Sequence, residues 1–296
     1  MRLAGCLFVL GACTYGEPDV AGGGFKCDAM HACPAGQYCI ANTCDDGTGV
    51  VFANGWERRT ELGCDQNALV DRDYLGEPAQ SEIAWNQTPP FPALCTGSNG
   101  FPDAEIIKDL GPAGTMTRIL QVRQSTGHVN GTDFYLDQML GGQPALYAWW
   151  WVKYSADWQW STADHSIFKL GDQGLDISFG VRGHAGASPA YVSIYVAASD
   201  ARFDSTVSQM SAGAWHFCVL HVVAGMHGKV EAWVDDVPVP FVNEQGASIL
   251  DINTGMLPTY AKVETAYNDG AFLDAHMSAA APWFMYYDDV RIAVRN

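Results

Sequence analysis

Gln121, Arg123, Tyr147, Trp149, Trp151, Lys153, His165, Lys169, Tyr191 and Tyr195 are the side chains of this chain whose types and spacing could do chemistry together. Each alternates with apolar neighbours in a short segment, so each falls on the polar side of a two-residue period. Aromatic rings offer flat apolar surfaces, and Arg and Lys donate to hydroxyls or carboxylates. Arg123, His165, Lys169 and Tyr195 are also of the types that move protons or neutralise charge. Other chemistries lack their spacing. The eight histidines form no HExxH or comparable ligand pattern, so a transition-metal centre is not expected. No strand carries a pair of Glu residues at glycosidase spacing, and Glu231 stands alone on its strand.

These residues need strands to position them. Residues 116–125 (MTRILQVRQS) place Met116, Leu120 and Val122 on one face and Thr117, Ile119, Gln121 and Arg123 on the other. Residues 145–154 (ALYAWWWVKY) separate Leu146, Ala148, Trp150 and Val152 from Tyr147, Trp149, Trp151 and Lys153. In 164–170 the alternation sets His165, Ile167 and Lys169 against Ser166, Phe168 and Leu170. Strands are expected at 50–56, 175–182 and 190–197, the last with Tyr191, Ser193 and Tyr195 outward. Residues 215–235 read as a hairpin turning at Gly225-Met226-His227-Gly228. A short proline-bearing edge piece follows at 238–241, and Val290, Ile292 and Val294 alternate in a closing strand. Residues 57–102, with five prolines, read as loops, and 250–275 as mixed loop with some helix or strand. No convincing helical period appears. The pattern predicts an all-β fold, a two-sheet antiparallel β-sandwich or jelly roll over 50–296.

The formal charge is -17, with 33 acidic against 16 basic residues. No Lys/Arg cluster exists to meet nucleic acid or an anionic membrane surface, so neither is an expected partner. Residues 1–13 (MRLAGCLFVLGAC) pair one basic residue with an apolar run too short to span a bilayer. Leu10-Gly11-Ala12-Cys13 resembles a bacterial lipobox, in which Cys13 would carry lipid; an ordinary signal peptide is the alternative. Residues 14–26 follow as a tether. Of the nine cysteines, Cys27, Cys33, Cys39 and Cys44 crowd into a knot at 27–46 that suits two disulfides in an oxidising compartment. Zinc is the rival, but these cysteines form no close CxxC pairs. Cys64 and Cys95 could staple the start of the large domain. Cys218, inside an apolar strand, is expected to be a buried free thiol.

Three stretches resemble concanavalin A-like (laminin G/jelly-roll lectin) domains. Leu146-Tyr147-Ala148-Trp149-Trp150-Trp151-Val152-Lys153 is similar to their apolar strand ending in a basic residue. Trp215 to Val222, the glycine-rich turn and Val230-Glu231-Ala232-Trp233-Val234-Asp235 resemble their W-h-x-v…v-x-v-D-G hairpin, with Asp236 where the family has Gly. Tyr287-Asp288-Asp289-Val290-Arg291-Ile292 resembles their closing strand. Lipobox, knot and sandwich together resemble cell-surface lipoproteins of myxobacteria-type Gram-negative bacteria. The resemblance implies an outer-membrane or secreted location, with the membrane reached through the lipid anchor only. It implies a polysaccharide or cell-surface glycan as partner, met by the ten residues above. That superfamily includes non-catalytic binding modules, glycoside hydrolases and polysaccharide lyases, so the fold assigns no activity. A lyase would use Arg123, His165, Lys169 and Tyr195 for β-elimination on an acidic glycan, although the lyase strand alternating Arg and Glu is absent here. Calcium is the one cofactor the resemblance admits, with Asp235, Asp236, Asp288 and Asp289 as candidates against ordinary turn and strand-end roles.

Overall fold

The computed structural model describes residues 38–40, 43–45, 50–54, 104–124, 133–136, 144–171, 176–184, 187–242, 246–254, 257–265, 267, 269–277 and 281–294. The chain divides into two compact units, Met1–Asp46 and Gly47–Asn296. In the first, β1 (Tyr38–Ile40) and β2 (Thr43–Asp45) form an antiparallel hairpin whose register sets Cys39 opposite Cys44. The expectations for Cys13, Cys27, Cys33, Cys64 and Cys95 lie outside the described residues.

The second unit is a two-sheet antiparallel β-sandwich. Its strands are β3 (Val50–Asn54), β4 (Ala104–Leu110), β5 (Met116–Gln124), β6 (Asp133–Leu136), β7 (Ala145–Tyr154), β8 (His165–Gly171), β9 (Ile177–His184), β10 (Ala187–Val196), β11 (Ala201–Met210), β12 (Trp215–Val223), β13 (Gly228–Val234), β14 (Val237–Pro238), β15 (Ile249–Ile252), β16 (Tyr260–Glu264) and β17 (Trp283–Val294). Among the described residues the α-helix α1 (Gly270–His276) starts at Asp269, whose side chain accepts the Phe272 amide. The six-stranded sheet runs β11-β10-β9-β8-β16-β6. The nine-stranded sheet runs β14-β13-β12-β7-β17-β5-β4, with β15 on β13 and β3 on β17. No described helix is long and apolar enough to cross a membrane.

Two-residue alternation builds the core. Leu146, Ala148, Trp150, Val152, Leu220, Val222, Val230 and Ala232 of the larger sheet meet Phe168, Leu170, Phe179, Val181, Val192, Ile194 and Val263 of the smaller. Trp150 joins the layers, stacked on Phe168 at 4.5 Å and edge-on to Phe179 at 5.1 Å. Each buried Val, Leu, Ile or Phe among them contributes about 1.5–3 kcal/mol of transfer free energy. Cys218 is a buried free thiol, and burial pushes its pKa up.

The β12–β13 hairpin turns where expected, with Gly225 at φ 123, a conformation open to glycine. Asp235 and Asp236, at φ 51 and 64, form the two-residue turn from β13 to β14, where both central residues need positive φ. Three strands of the sandwich and one phase depart from the sequence expectation. β4, β6 and β11 are strands the alternation did not mark; β11 mixes polar residues with Phe203, Val207 and Met210 and so hides its period. β8 carries a bulge, its register shifting between Ser166 and Phe168. The extra residue, Ile167, breaks the alternation, so Lys169 stays outward while His165 turns inward.

Candidate site on the outer face of the six-stranded sheet

On β9, β10, β8 and β16 the core-facing residues leave Ser178 and Arg182, Tyr191, Ser193 and Tyr195, Lys169, and Lys262 on the outer side. Register then sets Lys262 opposite Lys169, Lys169 opposite Ser178, Ser178 opposite Tyr195, and Tyr195 opposite Arg202. At strand spacing this row is about 19 Å long. Beside it, Ser193 faces Asp204 and Arg182 faces Tyr191. The result is a continuous face of cations, phenols and hydroxyls.

An ion-pair network fixes one end. Arg182 donates twice to the Thr162 carbonyl, at 2.8 and 2.6 Å, and once to Asp204 at 3.1 Å. It also lies 3.4 Å from Asp164, which pairs with Arg202. Burial raises the Asp164 pKa, and Arg202 and Arg182 pull it back. The Arg202 guanidinium sits 5.7 Å from the Tyr195 ring centre, and the Tyr195 hydroxyl donates to Asp200 at 2.9 Å. That bond raises the Tyr195 pKa; burial, then Asp204, raises that of Tyr191.

The ten residues singled out from sequence do not share one face, because β7 and β8 belong to different sheets. Lys169, Tyr191 and Tyr195 are together on the face just described. Gln121, Arg123, Tyr147, Trp149, Trp151 and Lys153 are on the opposite side of the sandwich, on the outer face of the nine-stranded sheet. There Trp149 is 1% exposed and Arg123 is buried, so neither is open to a ligand. Tyr147 stacks on His221 at 4.0 Å, and His221 meets Glu231 at 2.8 Å. Trp151 packs against Phe217. Lys153 lies over the Trp215 and Tyr286 rings, at 5.0 and 4.6 Å, and 3.7 Å from Asp109.

His165 is in neither face. It is 1% exposed among Tyr154, Trp158 and Tyr267, stacked on Trp158 at 5.1 Å. Neither ring nitrogen has a partner in hydrogen-bond geometry, although the nearby Thr265 backbone slightly favours the charged form. Desolvation dominates and lowers its pKa to about 3. Of the set expected for a lyase, Lys169 and Tyr195 are brought together; Arg123 and His165 are elsewhere.

The aspartates proposed for calcium have other work. Asp235 accepts from His216 at 2.7 Å and from the Phe217 amide at 2.8 Å. Asp288 accepts the Asp289 amide, and Asp289, at φ 47 in a register shift of β17, pairs with Arg291 at 2.7 Å. Among the described residues no group of three or more His, Cys, Asp or Glu side chains is gathered to hold a metal ion.

Ser211, His216 and Asp235 have the spacing of a nucleophile relay, with Ser211 Oγ 2.9 Å from His216 Nε2. However, Nε2 also accepts the Ser211 amide at 3.0 Å. Its lone pair is engaged there, and Nδ1 carries the proton donated to Asp235. The trio is a staple for the turn between β11 and β12, not a base poised to activate a hydroxyl.

Lys262, Arg182, Arg202, Asp164 and Asp204 were not singled out from sequence. Ala261-Lys262-Val263 carries the alternation that could have marked Lys262.

No family model and no curated protein matches the chain. Among solved structures it is similar to the endo-β-1,4-glucuronan lyase of the fungus Trichoderma reesei, with 16% identity, TM-score 0.45, and coverage of 65% of this chain and 87% of that one. It is similar to alginate lyase Aly36B at 10% identity and TM-score 0.43, covering 60% and 82%. It is also similar to the binding domain of botulinum neurotoxin serotype D/C at 8% identity and TM-score 0.43, covering 64% and 42%.

Proposed function

We propose that this protein is a surface-tethered, non-catalytic module that binds an acidic polysaccharide along the outer face of the six-stranded sheet. The observation that carries this reading is that Lys169, Tyr195 and Arg202, all partly exposed, lie in one register row across the sheet, with the buried Lys262 and Ser178 completing it. Cations at this spacing attract sugar-borne anions, and Tyr191 and Tyr195 offer rings and hydroxyls to the sugars between them. Lipidation at Cys13 would hold the module at the outer membrane.

Polysaccharide lyase activity is the second reading, favoured by Lys169 and Tyr195 lying in one row. β-Elimination needs a base for the C5 proton. Of the four residues expected for it, Arg123 lies on the opposite sheet and His165 in the interior, so that set is not assembled on this face. Binding is therefore the better reading.

The test incubates the purified protein with uronic-acid, sulfated and neutral polysaccharides, following retention and the absorbance of unsaturated product. Retention of acidic glycans without product, lost in Tyr195→Ala, is expected. Product formation would overturn the non-catalytic reading, and no retention of any acidic glycan would overturn both. Cys13→Ser should release the protein from membranes; if it stays attached, the anchor assignment is wrong.

A further inference from the structure

We infer that Asp200 is a positioning residue of this face: accepting from the Tyr195 hydroxyl across the β10–β11 corner, it fixes the Tyr195 ring as the surface on which a sugar ring stacks. The inference rests on the proposed function and names both the residue that orients its stacking group and the part of the ligand read there.

Tyr195 lies between Ile194 and Val196, both in the core, so its side chain projects outward. Val196 pairs with Ala201, and residues 197–200 connect the two strands. Ala197–Ser199 form one turn of 3₁₀ helix, and Asp200 closes it at φ 49, its amide donating to the Ala197 carbonyl at 3.2 Å. Aspartate and asparagine tolerate this left-handed conformation better than most side chains. Asp200 thus turns back beside the strand that precedes it, and its Oδ1 meets the Tyr195 hydroxyl at 2.9 Å.

A second hold comes from the facing strand. Arg202, the direct partner of Tyr195 on β11, lies over the Tyr195 ring with its guanidinium carbon 5.7 Å from the ring centre. Asp164 pairs with Arg202 and keeps the guanidinium in place. The ring is thereby held at its hydroxyl and over one face. Tyr195 is partly exposed, and Asp200 and Arg202 are exposed, so the group is open to a ligand. A ring fixed beforehand loses little rotamer freedom on binding, and its remaining face offers a flat apolar surface to sugar C–H groups. The hydroxyl, donating to Asp200, keeps oxygen lone pairs that can accept from a sugar hydroxyl. A carboxylate beside the ring disfavours a second anion there. The subsite therefore reads the uncharged face of a pyranose and leaves its anionic group to the cations along the row.

The test is isothermal titration of the full chain with a polyuronate and a sulfated oligosaccharide, the tighter of which is carried through the variants. Asp200→Gly removes the acceptor and suits a positive φ, Asp200→Asn keeps an acceptor without the charge, and Tyr195→Phe keeps the ring without the hydroxyl. Circular dichroism checks each for an unchanged fold, and the bond is probed from both ends, so one misfolded variant leaves the other to decide. Asp200→Gly and Tyr195→Phe should each bind about fivefold more weakly, and the double variant about fivefold rather than about 25-fold, because both remove one coupled interaction. Asp200→Asn should stay within about twofold of the parent. With 12 tyrosines in the chain, the Tyr195 phenol is followed as the difference in phenolate absorbance between each protein and its Tyr195→Phe counterpart. It should titrate lower in Asp200→Gly than in the parent, which reports the bond itself. An unshifted phenol, Asp200→Gly binding as tightly as the parent, or a multiplicative loss in the double variant overturns the positioning role and leaves the proposed function standing. A parent protein that binds neither anionic ligand overturns the proposed function itself.

Discussion

Acidification should destabilise this fold through a single buried imidazole. His165 titrates at about 3 in the folded chain against 6.5 for an ordinary histidine. Between those values the unfolded chain binds a proton that the native chain refuses, so native stability falls as pH falls through that window and is fully present above it. At pH 5 the loss is about 2 kcal/mol, and well below pH 3 it approaches about 5 kcal/mol, at 1.36 kcal/mol per unit. Domains are typically stable by about 5–15 kcal/mol, so the effect is a sizeable fraction of the whole. The cause is geometric: Tyr154, Trp158 and Tyr267 pack around the ring and leave it 1% exposed, so a charge there loses its hydration. Carboxylates also protonate in acid, so the measurement is a difference. Urea unfolding of the parent and of His165→Phe, which keeps a flat ring in the stack, is followed from pH 7 to pH 4. The variant starts lower because a larger ring overpacks its site, by about 1–3 kcal/mol. The gap between the two should shrink by about 2 kcal/mol between pH 7 and pH 5. Parallel curves would refute the assignment of a neutral, desolvated His165.

Other consequences follow from packing. Gly183→Ala would drive its Cβ into Trp160 and should lower stability by about 3 kcal/mol, read as a shift in the urea midpoint. Phe168→Ala removes the ring stacked on Trp150 and should cost about 3–5 kcal/mol; a loss below about 1 kcal/mol would mean the sheets are not joined there. Asp235→Ala leaves the Phe217 amide and His216 without their acceptor and should cost about 1–3 kcal/mol by thermal unfolding. Cys218 should resist a thiol reagent in the native state and react on unfolding, followed by mass spectrometry of its peptide, because the buried thiol is kept protonated.

The fold was legible wherever one side of a strand is apolar and the other is not. β7, β10 and β12 alternate cleanly, and β17 does so on either side of its shift at Asp288–Arg291, since their inner residues meet the facing sheet and their outer ones do not. β11 was not legible: it lies at the edge of its sheet, where the residues opposite the core are free to be polar on both counts. Propensity has little to say about such a strand, because pairing and burial decide it. Alternation also cannot say which sheet a strand joins. β7 and β8 are consecutive and look alike, yet the chain crosses from one layer to the other between them, through Trp158 and Trp160.

The site was harder to read for a related reason. A polar face exists only as neighbours, and neighbours are set by register across strands distant in the chain. Lys169 and Lys262 are opposite one another because β16 lies between β8 and β6, a relation no local pattern encodes. The bulge at Ile167 shows how sharply this matters. One extra residue moves His165 from a row of cations and phenols into an aromatic interior, where desolvation disfavours its charged form. It leaves Lys169 where alternation put it. A single backbone irregularity thus separates a residue suited to meeting an anion from one that limits the pH range of the fold. Both roles follow from which side of one strand each residue occupies.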